Sequence, residues 1–89
     1  MIELVKGALR VTTNAPAIND EIANLVSACE LDLSIAGIIY DEKDELIKRA
    51  TIMYAKGHFG YDNPEADRFL KSYEMLKQHL MLSGDYHEA

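Results

Sequence analysis

The sequence contains one cysteine, two prolines and no tryptophan. A lone cysteine cannot form an internal disulfide, so a small fold stapled by bridges in an oxidising compartment is excluded. Histidine is also sparse: His58, His79 and His87 never fall at the close helical spacing of a metal-ligand pair. With no Cys-x-x-Cys and no His-Glu-x-x-His, neither a structural nor a catalytic zinc site is expected. No apolar run approaches the ~20 residues needed to cross a bilayer. Met1-Ile2-Glu3-Leu4-Val5-Lys6-Gly7 lacks the basic start and long apolar stretch of a signal peptide. These absences predict a cytoplasmic protein with no membrane partner.

Positive charge is in deficit. Nine Lys and Arg stand against fifteen Asp and Glu, for a formal charge of −6. A general nucleic-acid binder needs a basic patch to neutralise phosphates, and the balance argues against one. The deficit is also local. Residues 1–45 hold three basic and nine acidic side chains, whereas residues 46–89 hold six of each. Asp20 to Glu45 carries eight acids and only Lys43, and the following stretch, Leu46 to His58, carries Lys48, Arg49 and Lys56 with no acid. Such runs are read either as solvated helix faces or as an acidic and a more basic side suited to head-to-tail self-association.

What is present is helical periodicity. At 89 residues the chain predicts one domain, residues 1–89, with a modest core. Ile2, Leu4, Val5 and Leu9 suggest a short first helix. Ile18, Ile22, Leu25, Val26, Cys29, Leu33 and Ala36 recur at spacings of three and four, one face of a second helix. Asn14 before Pro16, or Asn19, is its expected cap, and Gly37 its stop. Ile38-Ile39-Tyr40 forms an apolar connector, either extended or folded onto the core. Asp41 or Asp44 begins a third helix bearing Leu46, Ile47, Ala50, Met53 and Tyr54 on one face. Gly57 continues that face, where a missing side chain lets another helix approach. Asn63-Pro64-Glu65 predicts the start of a fourth helix, with Ala66, Phe69, Leu70, Tyr73, Leu76 and Leu80 in its stripe and Lys77 as a charged interruption. No alternating strand appears. The fold class is all-α, with three substantial helices and a short N-terminal one.

Catalytic groups are not found. Cys29 lies on a buried stripe and reads as a small core residue rather than a nucleophile. Asp41 to Glu45 lacks the alternating oxygen ligands and glycine of a calcium loop. Gly57 and Gly60 fall short of a phosphate-binding loop, so no metal, cofactor or catalytic residue is assigned and an enzyme is not expected. Tyr40, Phe59 and Tyr61 stand at loops or helix ends rather than mid-face, which marks them as candidate partner anchors.

The order of several short segments carries a resemblance. Leu4 through Val11, Asp20-Glu21-Ile22, Leu31-Asp32-Leu33 and Ala36-Gly37-Ile38 are followed by Glu45-Leu46-Ile47 and Ala50-Thr51. Tyr54-Ala55-Lys56-Gly57-His58-Phe59-Gly60 comes next, then Asp67 and Tyr73. Over residues 2–80 the chain resembles the small helical head–tail connector, or adaptor, proteins of tailed bacteriophages, often labelled DNA-packaging proteins. The resemblance implies a virion part at the head–tail junction, made in the bacterial host cytoplasm. It implies a ring of copies of the chain, twelve-fold like the portal protein above it. Such a ring joins the portal to a stopper or tail-completion protein and extends the channel through which DNA passes without specific binding. On that reading the acidic second helix faces Lys48, Arg49 and Lys56 across neighbouring subunits, and Tyr40, Phe59 and Tyr61 meet portal or tail partners. Two rival classes compete with this reading. An acyl carrier needs a serine opening a helix in Asp-Ser-Leu, but Ser34 lies in Asp32-Leu33-Ser34-Ile35, late in the second helix. A small acidic interaction or inhibitor module fits the acids of residues 20–45 but not the neutral second half.

Overall fold

The computed structural model describes residues 1–12, 15–60 and 63–86. These form helices α1 (Ile2–Ala8), α2 (Pro16–Ile35), α3 (Glu45–His58) and α4 (Ala66–Leu82), then a 3-10 turn at Gly84–Tyr86. No strand occurs among the described residues, and the all-α class is as the periodicity predicts.

Helix starts differ in their chemistry. Proline opens α2 at its first position, where its fixed φ suits a helix and its missing N–H is not needed. The cap position is Ala15, which offers no side-chain bond, and Asn19 lies inside the first turns. The other expected cap, Asn14, lies outside the described residues. Asp44 caps α3, its Oδ1 accepting from the N–H groups of Leu46 at 2.8 Å and Ile47 at 3.2 Å. The expected start of α4 at Pro64 is corrected by two residues. Asn63 accepts from the Glu65 N–H at 3.1 Å and donates to the Lys56 carbonyl at 2.6 Å. That side chain holds a turn against the end of α3, and helical pairing begins only at Ala66.

Two helices end in the same six-residue motif. After α2, the N–H of Ile38 donates to the Leu33 carbonyl and that of Gly37 to Ser34, with Gly37 at φ 84°. After α1, Val11 donates to Lys6 and Arg10 to Gly7, but here the left-handed position, φ 59°, is held by Arg10.

The core falls into two clusters joined by α2 and α3. Cys29, Leu33, Ile38, Ile47, Ala50, Tyr73 and Leu80 form the larger, with Tyr40, Met53, Tyr54 and Tyr86 packed against it. Val5, Ile22, Val26 and Ala55 form the smaller, covered by Phe59, Leu9 and Leu25. The early part of α2 thus meets the late part of α3, and the two helices run antiparallel. Helix α3 is central, packing against α2 on one side and α4 on another. Gly57 is what lets α4 come so close, because a Cβ there would sit 2.6 Å from Leu70 Cγ.

Candidate interaction surfaces

Polar side chains within and beside the larger cluster are tied to one another. Thr51 donates to the Ile47 carbonyl at 2.8 Å, which leaves its hydroxyl to accept from Tyr40 at 2.9 Å. Cys29 Sγ lies 3.8 Å from Thr51 Oγ1 and 4.0 Å from the Tyr73 hydroxyl. Burial pushes the Cys29 thiol up to about 11, against smaller opposing pulls from its hydroxyl neighbours. Such a thiol is inert at neutral pH. Burial likewise raises the Tyr40 and Tyr73 hydroxyls, and Tyr73 is raised further by donating to Asp32. Lys77, the charged interruption in the α4 stripe, reaches Asp32 at 3.1 Å and Glu74 at 3.3 Å. Its ammonium also lies 5.7 Å from the Tyr73 ring centre. No hydroxyl, thiol or carboxylate here is poised for transfer chemistry; the cluster braces α2, α3 and α4.

The surface is different. A groove of about 600 Å³ runs along α3, floored by Leu4, Ile52, Met53 and Phe69 and rimmed by Lys48, Arg49, Lys56 and Arg68. Among the described residues the only acid on its lining is Glu45, which pairs with Lys48 at 3.2 Å. Lys56 and Arg68 sit over the Phe69 ring at 5.3 and 5.2 Å, so both cations are held at the rim. Arg68 also reaches Glu65 at 3.0 Å, whereas Arg49 forms no ion pair within the described residues. Helix periodicity explains the position. Arg49, Ile52 and Lys56 lie half a turn from Ile47 and Thr51, which face α2.

Helix α2 presents the converse face. Leu31 is 61% exposed and Ile35 77% exposed, one turn apart on the side opposite Cys29 and Leu33. The helix carries Asp20, Glu21, Glu30 and Asp32 and no cation. Asp32 is taken up internally by Tyr73 and Lys77; the other three acids form no ion pair among the described residues.

The structure therefore brings together Lys48, Arg49 and Lys56, as the charge run suggested. It does not bring Tyr40 and Phe59 to the same place. Tyr40 spends its hydroxyl on Thr51 and packs on the larger cluster; Phe59 covers the smaller. Tyr61 lies outside the described residues. Arg68 and Phe69 were missed as groove residues, because only the α3–α4 contact sets them beside Lys56. Leu31 and Ile35 were legible as apolar residues off the buried stripe, half a turn from Leu33.

Residues 1–87 of the chain match a family model described as phage connector protein. The chain belongs to the phage connector protein family. No curated protein and no solved structure matches it. A phage connector is a structural part of the virion, and that role suits a connector chain whose distinctive features are two outward faces rather than a reactive centre. No helix among the described residues of this connector is long and apolar enough to cross a membrane. Nor does any group of three His, Cys, Asp or Glu among them stand ready to hold a metal ion.

Proposed function

We propose that the chain is a head–tail connector that assembles as a ring below the portal protein. The ring extends the DNA channel and offers its far side to a stopper or tail-completion protein. The observation that carries this reading is the family match over residues 1–87. The two opposed faces support it, since a molecule bearing different complementary patches on opposite sides associates head to tail, and head-to-tail contacts close into rings when the rotation allows. A count matching the portal, twelve-fold, lets each subunit meet an equivalent portal surface. Net acidity supports a channel through which DNA slides, since phosphate contacts need cations. Tyr40, Phe59 and Tyr61 are proposed as contacts with portal or tail proteins, and Lys48, Arg49 and Lys56 as contacts between subunits.

A nonsense codon in the gene tests the reading. Infection in a non-suppressing host is expected to accumulate DNA-containing heads and finished tails that remain unjoined. Joined infectious particles lacking the protein would contradict the reading.

A further inference from the structure

We infer that the α3 groove of one copy receives the outward face of α2 of the next copy, with Leu31 and Ile35 as the apolar anchors. The inference rests on the self-assembly reading above and deepens it by naming the two surfaces. Three observations carry it. The groove is floored by Leu4, Ile52, Met53 and Phe69, an apolar trough of about 600 Å³ that no part of the described chain fills. Leu31 and Ile35 are large side chains left 61% and 77% exposed on a helix otherwise well packed, one turn apart and able to enter a trough together. Charge decides the occupant. Among the described residues the rim offers Lys48, Arg49, Lys56 and Arg68 against one glutamate, while α2 offers Asp20, Glu21 and Glu30 and no cation.

Geometry then fixes the mode of association. The groove lies on the α3 face turned away from α2, and Leu31 and Ile35 lie on the α2 face turned away from α3. A chain cannot satisfy its own groove, and a two-fold dimer cannot make both contacts when the two faces point in opposite directions. The contact must be heterologous, passing from each copy to the next. Salt weakens it, because screening shortens from about 10 Å at 0.1 M to about 3 Å at 1 M.

Two variants and their mixture test the pairing by sedimentation at millimolar protein and low salt, with circular dichroism confirming native helicity. One variant carries Leu31→Asp and Ile35→Asp and keeps an intact groove. The other carries Arg49→Glu and Lys56→Glu and keeps an intact α2 face. Each alone is expected to self-associate about a hundredfold more weakly than the natural chain, since each loses anchors or charge attraction along every contact. Mixed in equal amounts, they are expected to form a one-to-one dimer and stop there, because only one good contact exists between them. Self-association undiminished in either variant overturns the pairing while leaving ring assembly through another surface intact. A natural chain that remains monomeric under these conditions also overturns the pairing; the connector role is judged separately by the unjoined heads and tails.

Discussion

The Tyr73 hydroxyl donates to Asp32 Oδ2 at 2.5 Å, joining α4 to α2 across 41 residues of sequence. Lys77 approaches the same oxygen at 3.1 Å, so a single carboxylate receives a neutral and a charged donor from one face of α4. The brace ties α4 to the stretch of α2 that carries Leu31 and Ile35.

Replacing Tyr73 by Phe keeps the ring and removes the donor. The expected loss is about 1–2 kcal/mol, since Lys77 still serves the carboxylate. Urea unfolding followed by circular dichroism measures it. A variant as stable as the natural chain would show that the hydroxyl adds nothing beyond its ring.

Acid should weaken the same brace. Burial pushes the Asp32 carboxyl up, but hydrogen bonds from Tyr73 and Lys77 and the Lys77 charge outweigh it and hold the group below its ordinary 3.8. A carboxyl lowered by folding stabilises fully above its unfolded value and loses that contribution as pH falls through the folded one. The stability difference between the natural chain and Asp32→Asn is therefore expected to be constant near neutrality and to shrink below 3.8. A difference that grows in acid would reverse the sign of the argument.

Gly57 offers a test of the α3–α4 approach. In an ordinary helix, Gly→Ala gains roughly 1 kcal/mol. Here the new Cβ would stand 2.6 Å from Leu70 Cγ and 3.4 Å from the Leu70 backbone nitrogen. Gly57→Ala is expected to lose about 1–3 kcal/mol in thermal or urea unfolding. Leu70→Ala should cost less in that background than in the natural one, which a double-mutant cycle reads directly.

The helices themselves are largely legible in the sequence. The stripe from Ile22 to Leu33 and the stop at Gly37 follow from spacing and local backbone chemistry alone. Gly57 as a contact point was legible for the same reason, since it falls on the face of Ala50 and Tyr54. The start of α4 was displaced because Asn63 does not cap it; the side chain turns back to the Lys56 carbonyl, a bond no local pattern reveals. Lys77 looked like a flaw in an apolar stripe until Asp32 appeared beside it from another helix. The groove was half legible. Lys48, Arg49 and Lys56 stood out as a charge run, but Arg68 and Phe69 join them only through packing.

The end of the described chain was the least expected. Tyr86 reaches back to Asp44, its hydroxyl 3.0 and 2.9 Å from the two carboxylate oxygens, and its carbonyl accepts from the Ile39 N–H at 2.7 Å. The capping carboxylate thus serves both α3 and the C-terminal turn. Asp44→Ala is expected to cost about 1–2 kcal/mol and Tyr86→Phe less, about 0.5–1.5 kcal/mol. Equal losses in urea unfolding would mean that the cap itself contributes nothing.

Whether this small chain assembles through its own surfaces is measured most directly by light scattering on a sizing column. Over about a hundredfold range of concentration at low salt, mass action predicts a rise from the 10.0 kDa chain to one discrete closed species of many copies. Raising the salt should reverse it. A mass fixed at 10.0 kDa at every concentration would contradict self-assembly through the α2 and α3 faces.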